Sequence, residues 1–332
     1  MAPQVRPATP EAIAEAGRII ASGGLVAFPT ETVYGLGAHA LDPMAVARIF
    51  EVKQRPRFDP LIVHVADVGM AESLWQFIPA IARQLIQAFW PGPLTLVLPK
   101  RAHVPDIVTA GLPTVAVRMP GHPVALALIR AASVPIAAPS ANPFGYLSPT
   151  RAEHVVAMLG DRVDLILDGG PCPYGVESTV ILIEGDRVAV LRPGALPIED
   201  VERMVGPVDI RTRSARPQSP GQLPRHYAPR VPVRIGTYTT IREPPDRHIG
   251  YLAWQTPPPV NVDAVEVLSP TGNLREAAAR LFDCLHRLEA AGVDVIYAEP
   301  VPEVGLGRAI MDRLQRMAHD GTPRGDAEKN CG

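Results

Sequence analysis

Residues 24–65 read GLVAFPTETVYGLGAHALDPMAVARIFEVKQRPRFDPLIVHV, and the predicted fold is built outward from this stretch. The apolar run 25–28 ends at Pro29, which predicts a buried strand that stops at a turn. Asp42 followed by Pro43 predicts the start of a helix, with an N-cap side chain and a proline in the first turn. A second apolar run, residues 61–65, predicts the next strand. The stretch is therefore typical of an α/β protein.

Polar and cationic residues surround both predicted strands. Thr30, Glu31 and Thr32 follow the first strand, and Lys53-Gln54-Arg55-Pro56-Arg57 comes shortly before the second. Open α/β sheets bind ligands beyond the carboxyl ends of their strands. We therefore expect an anion-binding site here, with its cations exposed on a loop.

Composition limits the class of protein. The chain has 332 residues, of which 47% are hydrophobic and 20% are charged, and its net charge is -2. These values indicate a folded protein, predict two domains, and show no general positive field for nucleic acid. Three scattered cysteines, Cys172, Cys284 and Cys331, form no CxxC motif and fit a reducing compartment. Without a signal peptide or membrane-spanning segment in the sequence, we expect a cytoplasmic protein and no membrane partner.

Further strands also begin or end at polar residues. The predicted strand 114–118 ends at Arg118, strand 134–138 stops before Ser140 and Asn142, and the hairpin 179–191 lies between Ser178 and Arg192. Strands alternate with helices, and the hairpin adds antiparallel pairing, so we predict a mixed α/β sheet. The predicted domains are residues 1–210 and 233–332, joined by a linker at 211–232 that is rich in Arg, Pro and Ser.

Each of these polar residues also has an ordinary explanation. Lys53 and Arg55 suit a solvated helix C-terminus, Ser140 and Asn142 suit a turn, and a histidine within LIVHV is more often part of a core. Arg118 is harder to explain without an anion, because it ends a buried apolar strand. The repetition across several strands favours convergence on one crevice.

Two common nucleotide motifs are weighed against this interpretation. Residues 35–40, GLGAHA, match the GxGxxA dinucleotide fingerprint. The expected strand is separated from the glycines by PTETVY, and no acidic residue ends the next strand, so a dehydrogenase is disfavoured. No GxxxxGK[ST] motif is present, which excludes a P-loop enzyme.

A series of motifs, in order along the chain, resembles one family. PTETVYGLG, KQR, PLIVHV, PGPLTLVL, TVAVRMPGHP, PSANPFG and LRPGA resemble the YrdC-type L-threonylcarbamoyladenylate synthases. SPGQLPRHYAP and GLGRAIMDRL resemble the longer form of that family. The resemblance implies a YrdC-like twisted mixed sheet with a concave cleft, followed by a smaller Rossmann-like α/β/α domain. It also implies synthesis of threonylcarbamoyl-AMP and pyrophosphate from L-threonine, bicarbonate and ATP, for threonylcarbamoyladenosine formation beside the tRNA anticodon.

The resemblance also implies roles for individual residues. The KxR and SxN signatures, implied to be catalytic, correspond to Lys53, Arg55, Ser140 and Asn142. Threonine would contact Thr32, His64, Arg118 and Ser178. ATP would contact Arg55, Asp59, Thr114, Ser140, Ser148, Arg192 and Tyr227. Mg²⁺ would arrive with ATP and need no direct protein ligand, and no organic cofactor is implied.

Partners and alternatives follow from the same comparison. The product would pass to a downstream threonylcarbamoyl-transfer enzyme acting on tRNA, and a weak contact with tRNA itself is left open. One alternative is a carbamoyl-adenylate-handling YrdC module, as in hydrogenase maturation. Another is a non-catalytic RNA-binding module, which balanced charge and 5% aromatic residues disfavour. Two departures from the family are Asp59, usually asparagine, and the QLP run in the linker.

The linker carries one further prediction. Residues 219–229, SPGQLPRHYAP, include a tyrosine, although an exposed spacer gains nothing from an aromatic side chain. Helped by the resemblance, we predict that this segment folds over the cleft and that Tyr227 contacts the nucleotide.

Overall fold

The structure is a computed structural model that describes residues 4–212, 217–223, 226–244 and 246–318. Two sheets lie in this part of the chain. The first contains β1 Val5–Pro7, β2 Val26–Phe28, β3 Gly35–His39, β4 Ile62–His64, β5 Leu94–Pro99, β6 Thr114–Arg118, β7 Ile136–Ala137, β8 Leu165–Asp168, β9 Thr179–Glu184, β10 Arg187–Arg192 and β11 Asp209–Ile210. The second contains β12 Val233–Ile235, β13 Ile249–Ala253, β14 Ala264–Val267 and β15 Val295–Ala298.

Helices accompany both sheets. Those of the first region are α1 Pro10–Ala21, α2 Pro43–Lys53, α3 Val68–Leu74, α4 Ala80–Phe89, α5 Asp106–Thr109, α6 Pro123–Ala132, α7 Ala152–Leu159 and α8 Ile198–Val205. Those of the second are α9 Leu274–Ala290 and α10 Leu306–Met317. No helix among the described residues has the length and apolar character needed to cross a bilayer.

The first sheet is mixed, as predicted. Its eleven strands run in the order β1-β8-β2-β3-β7-β4-β6-β5-β9-β10-β11. The second sheet has the order β12-β15-β13-β14, and all of its pairings are parallel. Parallel strands flanked by helices confirm the predicted α/β character of the second region.

Pairing within the first sheet brings several polar residues to the same edge. β4 and β6 are parallel neighbours in which His64 lies opposite Arg118. β5 is antiparallel to β6, so Thr95, near the start of β5, also lies opposite Arg118. β9 is parallel to β5, and Arg192 pairs with Val180 at the start of β9. The sheet alone therefore places residues from distant parts of the chain side by side.

Most of the predicted elements are present, and the helix start at Asp42 is confirmed. Its side chain accepts a hydrogen bond from the Met44 amide, at the N-terminus of α2. The prediction missed β1, β3, β11, α3, α5 and α8. In β3 the reason is glycine, which weakens a strand pattern. A Cβ atom on Gly37 would lie 2.8 Å from atoms of both Phe28 and Ile136, so this glycine permits close packing and does not belong to a dinucleotide-binding turn.

One apolar cluster joins the two regions. Val33, Leu147, Val176 and Ala195 of the first region are buried in the same cluster as the inner face of α9 and α10. Tyr227 of the linker belongs to it as well. Burial of apolar surface is the dominant favourable term in folding, so this shared cluster holds the second region against the first.

Candidate active site

A small, partly open cavity lies at the edge of the first sheet where those strands meet. Its volume is about 50 Å³. The residues around it come from or lie next to seven strands, from the loop after α2 and from the linker: Thr30, Thr32, Val33, Gly35, Arg55, Ile62, His64, Arg118, Ala138, Pro139, Ser140, Glu177, Ser178, Arg192, Pro220, His226 and Tyr227. Eight residues expected at the site are among them: Thr32, Arg55, His64, Arg118, Ser140, Ser178, Arg192 and Tyr227. The predicted convergence of strand ends is therefore present.

Arg118 is the buried cation at one end of the cavity. Its Nη1 donates to Thr32 Oγ1 at 2.9 Å, and its Nε donates to the Gly92 carbonyl at 3.2 Å. Its Nη2 lies 2.6 Å from Glu31 Oε1, yet neither Glu31 oxygen accepts a hydrogen bond of regular geometry among the described residues. The pair is therefore held by charge, and Glu31 fixes the guanidinium in place.

His64 stands beside Arg118 as a neutral imidazole. Burial lowers the pKa of His64 to about 3, and the nearby charge of Arg118 acts in the same direction. Its Nδ1 has no hydrogen-bond partner among the described residues. A histidine that served only the core would have such a buried atom satisfied, so this atom is available to a ligand.

Ser178 and Arg192 form a second polar wall. The Ser178 hydroxyl lies 2.7 Å from Thr95 Oγ1 and accepts from Arg192 Nη2 at 3.1 Å. Arg192 also donates to the Ser178 carbonyl from Nε and Nη2. Both side chains are buried, so these bonds hold a second cation at a fixed position.

Arg55 and Lys53 are buried, and the expectation of exposed loop cations is wrong. Lys53 is 1% exposed and Arg55 is 6% exposed. Arg55 donates to the carbonyls of Asp59 and Pro60 and pairs with the Asp59 carboxylate at 2.9 Å. Because side chains at a helix C-terminus are usually solvated, exposed cations were expected. Helix α2 instead ends inside the protein, where backbone carbonyls accept hydrogen bonds from Lys53 and Arg55.

Lys53 fixes the loop that carries Ser140 and Asn142. Its Nζ donates to the Ser140 carbonyl at 2.6 Å and to the Asn142 carbonyl. Asn142 in turn donates to the Tyr146 carbonyl at 2.7 Å. Burial and the neighbouring Arg55 lower the pKa of Lys53 well below its usual value. Lys53 and Asn142 therefore lie behind the cavity wall and shape it.

Three other predicted ATP residues do not line the cavity. Asp59 is fully buried behind Arg55, and burial raises the pKa of its carboxyl despite that neighbour. Ser148 is buried and donates to Glu177 Oε1 at 2.5 Å. Thr114 begins β6, about 13 Å along the strand from Arg118 at the usual rise per residue.

The linker closes one side of the cavity through Pro220, His226 and Tyr227. Gly221 has a φ of +87°, and a Cβ atom there would lie 2.5 Å from the Tyr227 hydroxyl. Tyr227 has a φ of 64°, in the left-handed region that is uncommon for a residue with a side chain. Pro224 and Arg225 of this segment lie outside the described residues.

Sequence reasoning did not assign a role to Glu177 or His226. Glu177 directly precedes Ser178 but gave no signal of its own. Both ring nitrogens of His226 are buried without a hydrogen-bond partner among the described residues. Its position next to Tyr227, in a segment with few apolar residues, was the available signal.

Chemically, the cavity suits an anionic ligand with several polar groups. Three buried guanidinium groups, those of Arg55, Arg118 and Arg192, stand around it. Within the described ranges, no group of three or more His, Cys, Asp or Glu side chains is placed to hold a metal ion.

The two regions, and the cavity that the first region and the linker enclose, define an α/β protein of two domains with a site whose cations suit an anionic ligand. Residues 18–194 match the Sua5/YciO/YrdC family model, described as telomere recombination. Residues 196–319 match the C-terminal domain of threonylcarbamoyl-AMP synthase. The chain belongs to the Sua5/YciO/YrdC family.

Relatives of full length support this assignment. The chain is 44% identical over 320 residues to the threonylcarbamoyl-AMP synthase of Bacillus subtilis, with 92% of each chain covered. It is 46% identical over 318 residues to that of Pyrococcus abyssi, covering 91% of this chain and 93% of the relative. The crystal structure of P. abyssi Sua5 complexed with L-threonine superimposes with a TM-score of 0.87 at 42% identity, covering 95% and 96% of the chains. The expected two-domain form is confirmed.

Proposed function

We propose that this protein makes threonylcarbamoyl-AMP and pyrophosphate from L-threonine, bicarbonate and MgATP. The observation that carries the proposal is the cavity itself, where a polar wall that includes Arg118 meets two further buried arginines. The product would serve formation of threonylcarbamoyladenosine in tRNA through a downstream transfer enzyme in the cytoplasm.

Threonine would lie against Arg118, His64, Thr32 and Ser178. The carboxylate of a free amino acid needs a cation, and a guanidinium can bind it through two parallel hydrogen bonds. Because Arg118 already pairs with Glu31, the threonine carboxylate would share this guanidinium with a fixed protein carboxylate. His64 Nδ1 and the Ser178 hydroxyl would then contact the amine or the hydroxyl of threonine.

ATP would extend towards Arg55, Arg192, Ser140 and Tyr227. The threonine amine first takes up bicarbonate with loss of water, which gives a carbamate. A carbamate oxygen then attacks the α-phosphorus, and the bond to pyrophosphate breaks. Negative charge grows on phosphate oxygens, so fixed cations stabilise the transition state. No protein nucleophile is needed.

Lys53 and Asn142 would act by holding the Ser140 loop, Asp59 would act through Arg55, and Ser148 would act through Glu177.

We further propose that the linker opens for substrates and closes over them. Ligand pockets usually measure about 300–1,000 Å³, whereas this cavity measures about 50 Å³ with the linker in place. Substrates therefore need the linker to move. Closure would exclude water from an intermediate that hydrolyses readily. Protection of the linker from trypsin by ATP plus threonine would support this step, and unchanged cleavage would contradict it.

The proposed function is tested by pyrophosphate release from ATP. We expect release that requires both L-threonine and bicarbonate, with threonylcarbamoyl-AMP detected by mass spectrometry. An RNA-binding module would release no pyrophosphate under any condition. Release with carbamoyl phosphate in place of threonine would favour the carbamoyl-adenylate alternative.

A further inference from the structure

Helix α10 of the second domain carries a buried arginine that contacts residues of the cavity wall. Arg313 is fully buried, and its Nε donates to Glu177 Oε2 at 2.8 Å. Its guanidinium carbon lies 4.7 Å from the ring centroid of Tyr227. A single side chain of the second domain therefore contacts both the first domain and the linker where they meet the cavity.

A second arginine on the same helix holds the linker backbone. Arg316 donates to the Leu223 carbonyl at 2.5 Å and to the Thr212 carbonyl at 2.9 Å. Asp312 pairs with both arginines and so keeps them in a common arrangement. The linker is thereby attached to α10 at three points.

Arg313 reaches two residues of the proposed ATP side without lining the cavity. Through Glu177 it is connected to Ser148, whose hydroxyl donates to the other Glu177 oxygen. Through its face-on contact it supports Tyr227, which keeps a left-handed backbone that packing must stabilise. Loss of Arg313 would leave the Glu177 carboxylate buried without its charge partner.

We infer that Arg313 is a positioning residue for ATP, and that the second domain completes the nucleotide side of the active site through it. This inference rests on the proposed function and adds a role for the second domain. This role differs from simple attachment of the two domains, because the residues that Arg313 contacts, Glu177 and Tyr227, belong to the cavity wall and to the linker.

The same helix offers a matched control. Arg308 of α10 also pairs with a carboxylate of the first domain, donating from Nε to Glu199 Oε1 at 3.0 Å. Its side chain is 44% exposed. Neither residue lines the cavity. Arg308→Ala therefore removes an ion pair between the domains and leaves the linker contacts intact.

The test compares steady-state pyrophosphate release by the full-length protein and its Arg313→Ala and Arg308→Ala variants. We expect Arg313→Ala to raise the KM for ATP at least tenfold, with the KM for threonine changed less than threefold. Arg308→Ala should leave both constants within twofold. An unchanged KM for ATP in folded Arg313→Ala would overturn the inference. So would equal effects of the two variants, or an equal rise in both KM values.

Should Arg313→Ala fail to fold, Arg316→Ala decides the question. We expect trypsin to cleave its linker at least fivefold faster in the presence of ATP and threonine, with a raised KM for ATP. Wild-type cleavage and wild-type KM in this variant would overturn the inference. Failure of the proposed function would be seen separately, as the absence of threonine-dependent release by the wild-type protein.

Discussion

The groove of the second domain and the cavity of the first domain are both lined by charged side chains, and they differ in how far those side chains are buried. The groove at the edge of the second sheet has a volume of about 450 Å³ and is lined by Glu243, Asp246, Arg247, His248 and Asp263 among others. The cavity of the first domain measures only about 50 Å³. Size alone would favour the groove as a ligand site.

The burial of the charged side chains favours the cavity over the groove as a ligand site. In the groove, the ion pair between His248 and Asp263 has side chains 66% and 46% exposed. In the cavity, the side chains of Arg118 and Glu31 are 4% and 7% exposed. Buried polar atoms without partners are costly unless a ligand satisfies them. Unsatisfied buried polarity therefore identifies a site better than volume does.

The largest expected effect is that of Lys53→Ala. We expect about a 10³-fold loss of threonine-dependent pyrophosphate release, because the loop that carries Ser140 loses its anchor. The free energy of unfolding should also fall by about 2–4 kcal/mol, since one buried and one partly buried carbonyl lose their donor. Urea unfolding and the release assay measure both. The control is Lys100→Ala, whose ammonium pairs with Asp106 away from the cavity. Full activity in Lys53→Ala would remove this residue from the site.

Arg118→Ala should weaken threonine binding about 100-fold and ATP binding less than about fivefold, because its loss removes about 3 kcal/mol from the carboxylate contact alone. Isothermal calorimetry measures both affinities. The variant also leaves Glu31 buried and unpaired, so the double variant Arg118→Ala/Glu31→Gln is the control. It should regain stability without regaining threonine affinity. Equal losses for the two substrates would show that Arg118 does not belong to a threonine site.

The response to pH separates interior from surface histidines. Burial, assisted by His154, lowers the pKa of His286 to about 3. Below the ordinary histidine pKa of about 6.5, the His286 imidazole is therefore protonated in the unfolded chain but stays neutral in the folded protein. Stability should be complete above that value and fall as the pH drops towards 3. At pH 4 this one residue should account for a loss of about 2–3 kcal/mol relative to pH 7.

Chemical unfolding at pH 7 and pH 4 tests this prediction with two variants. His286→Asn should flatten the dependence on pH. At the surface, the hydrogen bond to Asp263 raises the pKa of His248, so its contribution has the opposite sign and is lost as the pH rises. His248→Asn should therefore keep the acid-side loss of stability. A steeper acid loss in His286→Asn would contradict the assignment.

The smallest effect is expected in the groove of the second domain. Arg247→Ala removes a contact of 3.2 Å with Glu243, which keeps the Tyr297 hydroxyl as a donor. Arg247 is 41% exposed, and the buried Glu243 keeps Arg234 as a second charge partner, so stability should change by less than about 0.5 kcal/mol. Pyrophosphate release should remain at the wild-type rate. A loss of activity would show that the groove takes part in function and would break the comparison.

How far the site could be predicted depended on which residues interact locally. Apolar runs located β4 and β6, and the polar end of β6 indicated that Arg118 would lie at the site, whereas His64 was placed there only by the family resemblance. The burial of Lys53 could not be predicted, because its acceptors at Ser140 and Asn142 are 87 and 89 positions away. The pair of Glu177 and Arg313 spans 136 positions and has no local pattern. Such contacts are set by tertiary packing.

The same limit applies to the fold. Helix α2 followed from its cap and apolar spacing, whereas β3 was hidden by glycines whose purpose is close packing against Phe28. The folded position of the linker was suggested by one aromatic residue. The attachment of the linker to α10 could not be predicted, because the sequence does not show which face of that distant helix points inward.

The apolar cluster shared by the two domains has a consequence for protein synthesis. Val33, Leu147, Val176 and Ala195 leave the ribosome well before Met317, which completes their cover. Counted from Ala195, the last of the four, the delay is about 120 residues, or roughly 6–24 s at ordinary elongation rates. During that interval the nascent first domain presents an apolar surface to the cell, and a chaperone that recognises such surfaces has time to bind it. A chain shortened to end at Ile210 would keep that surface permanently uncovered.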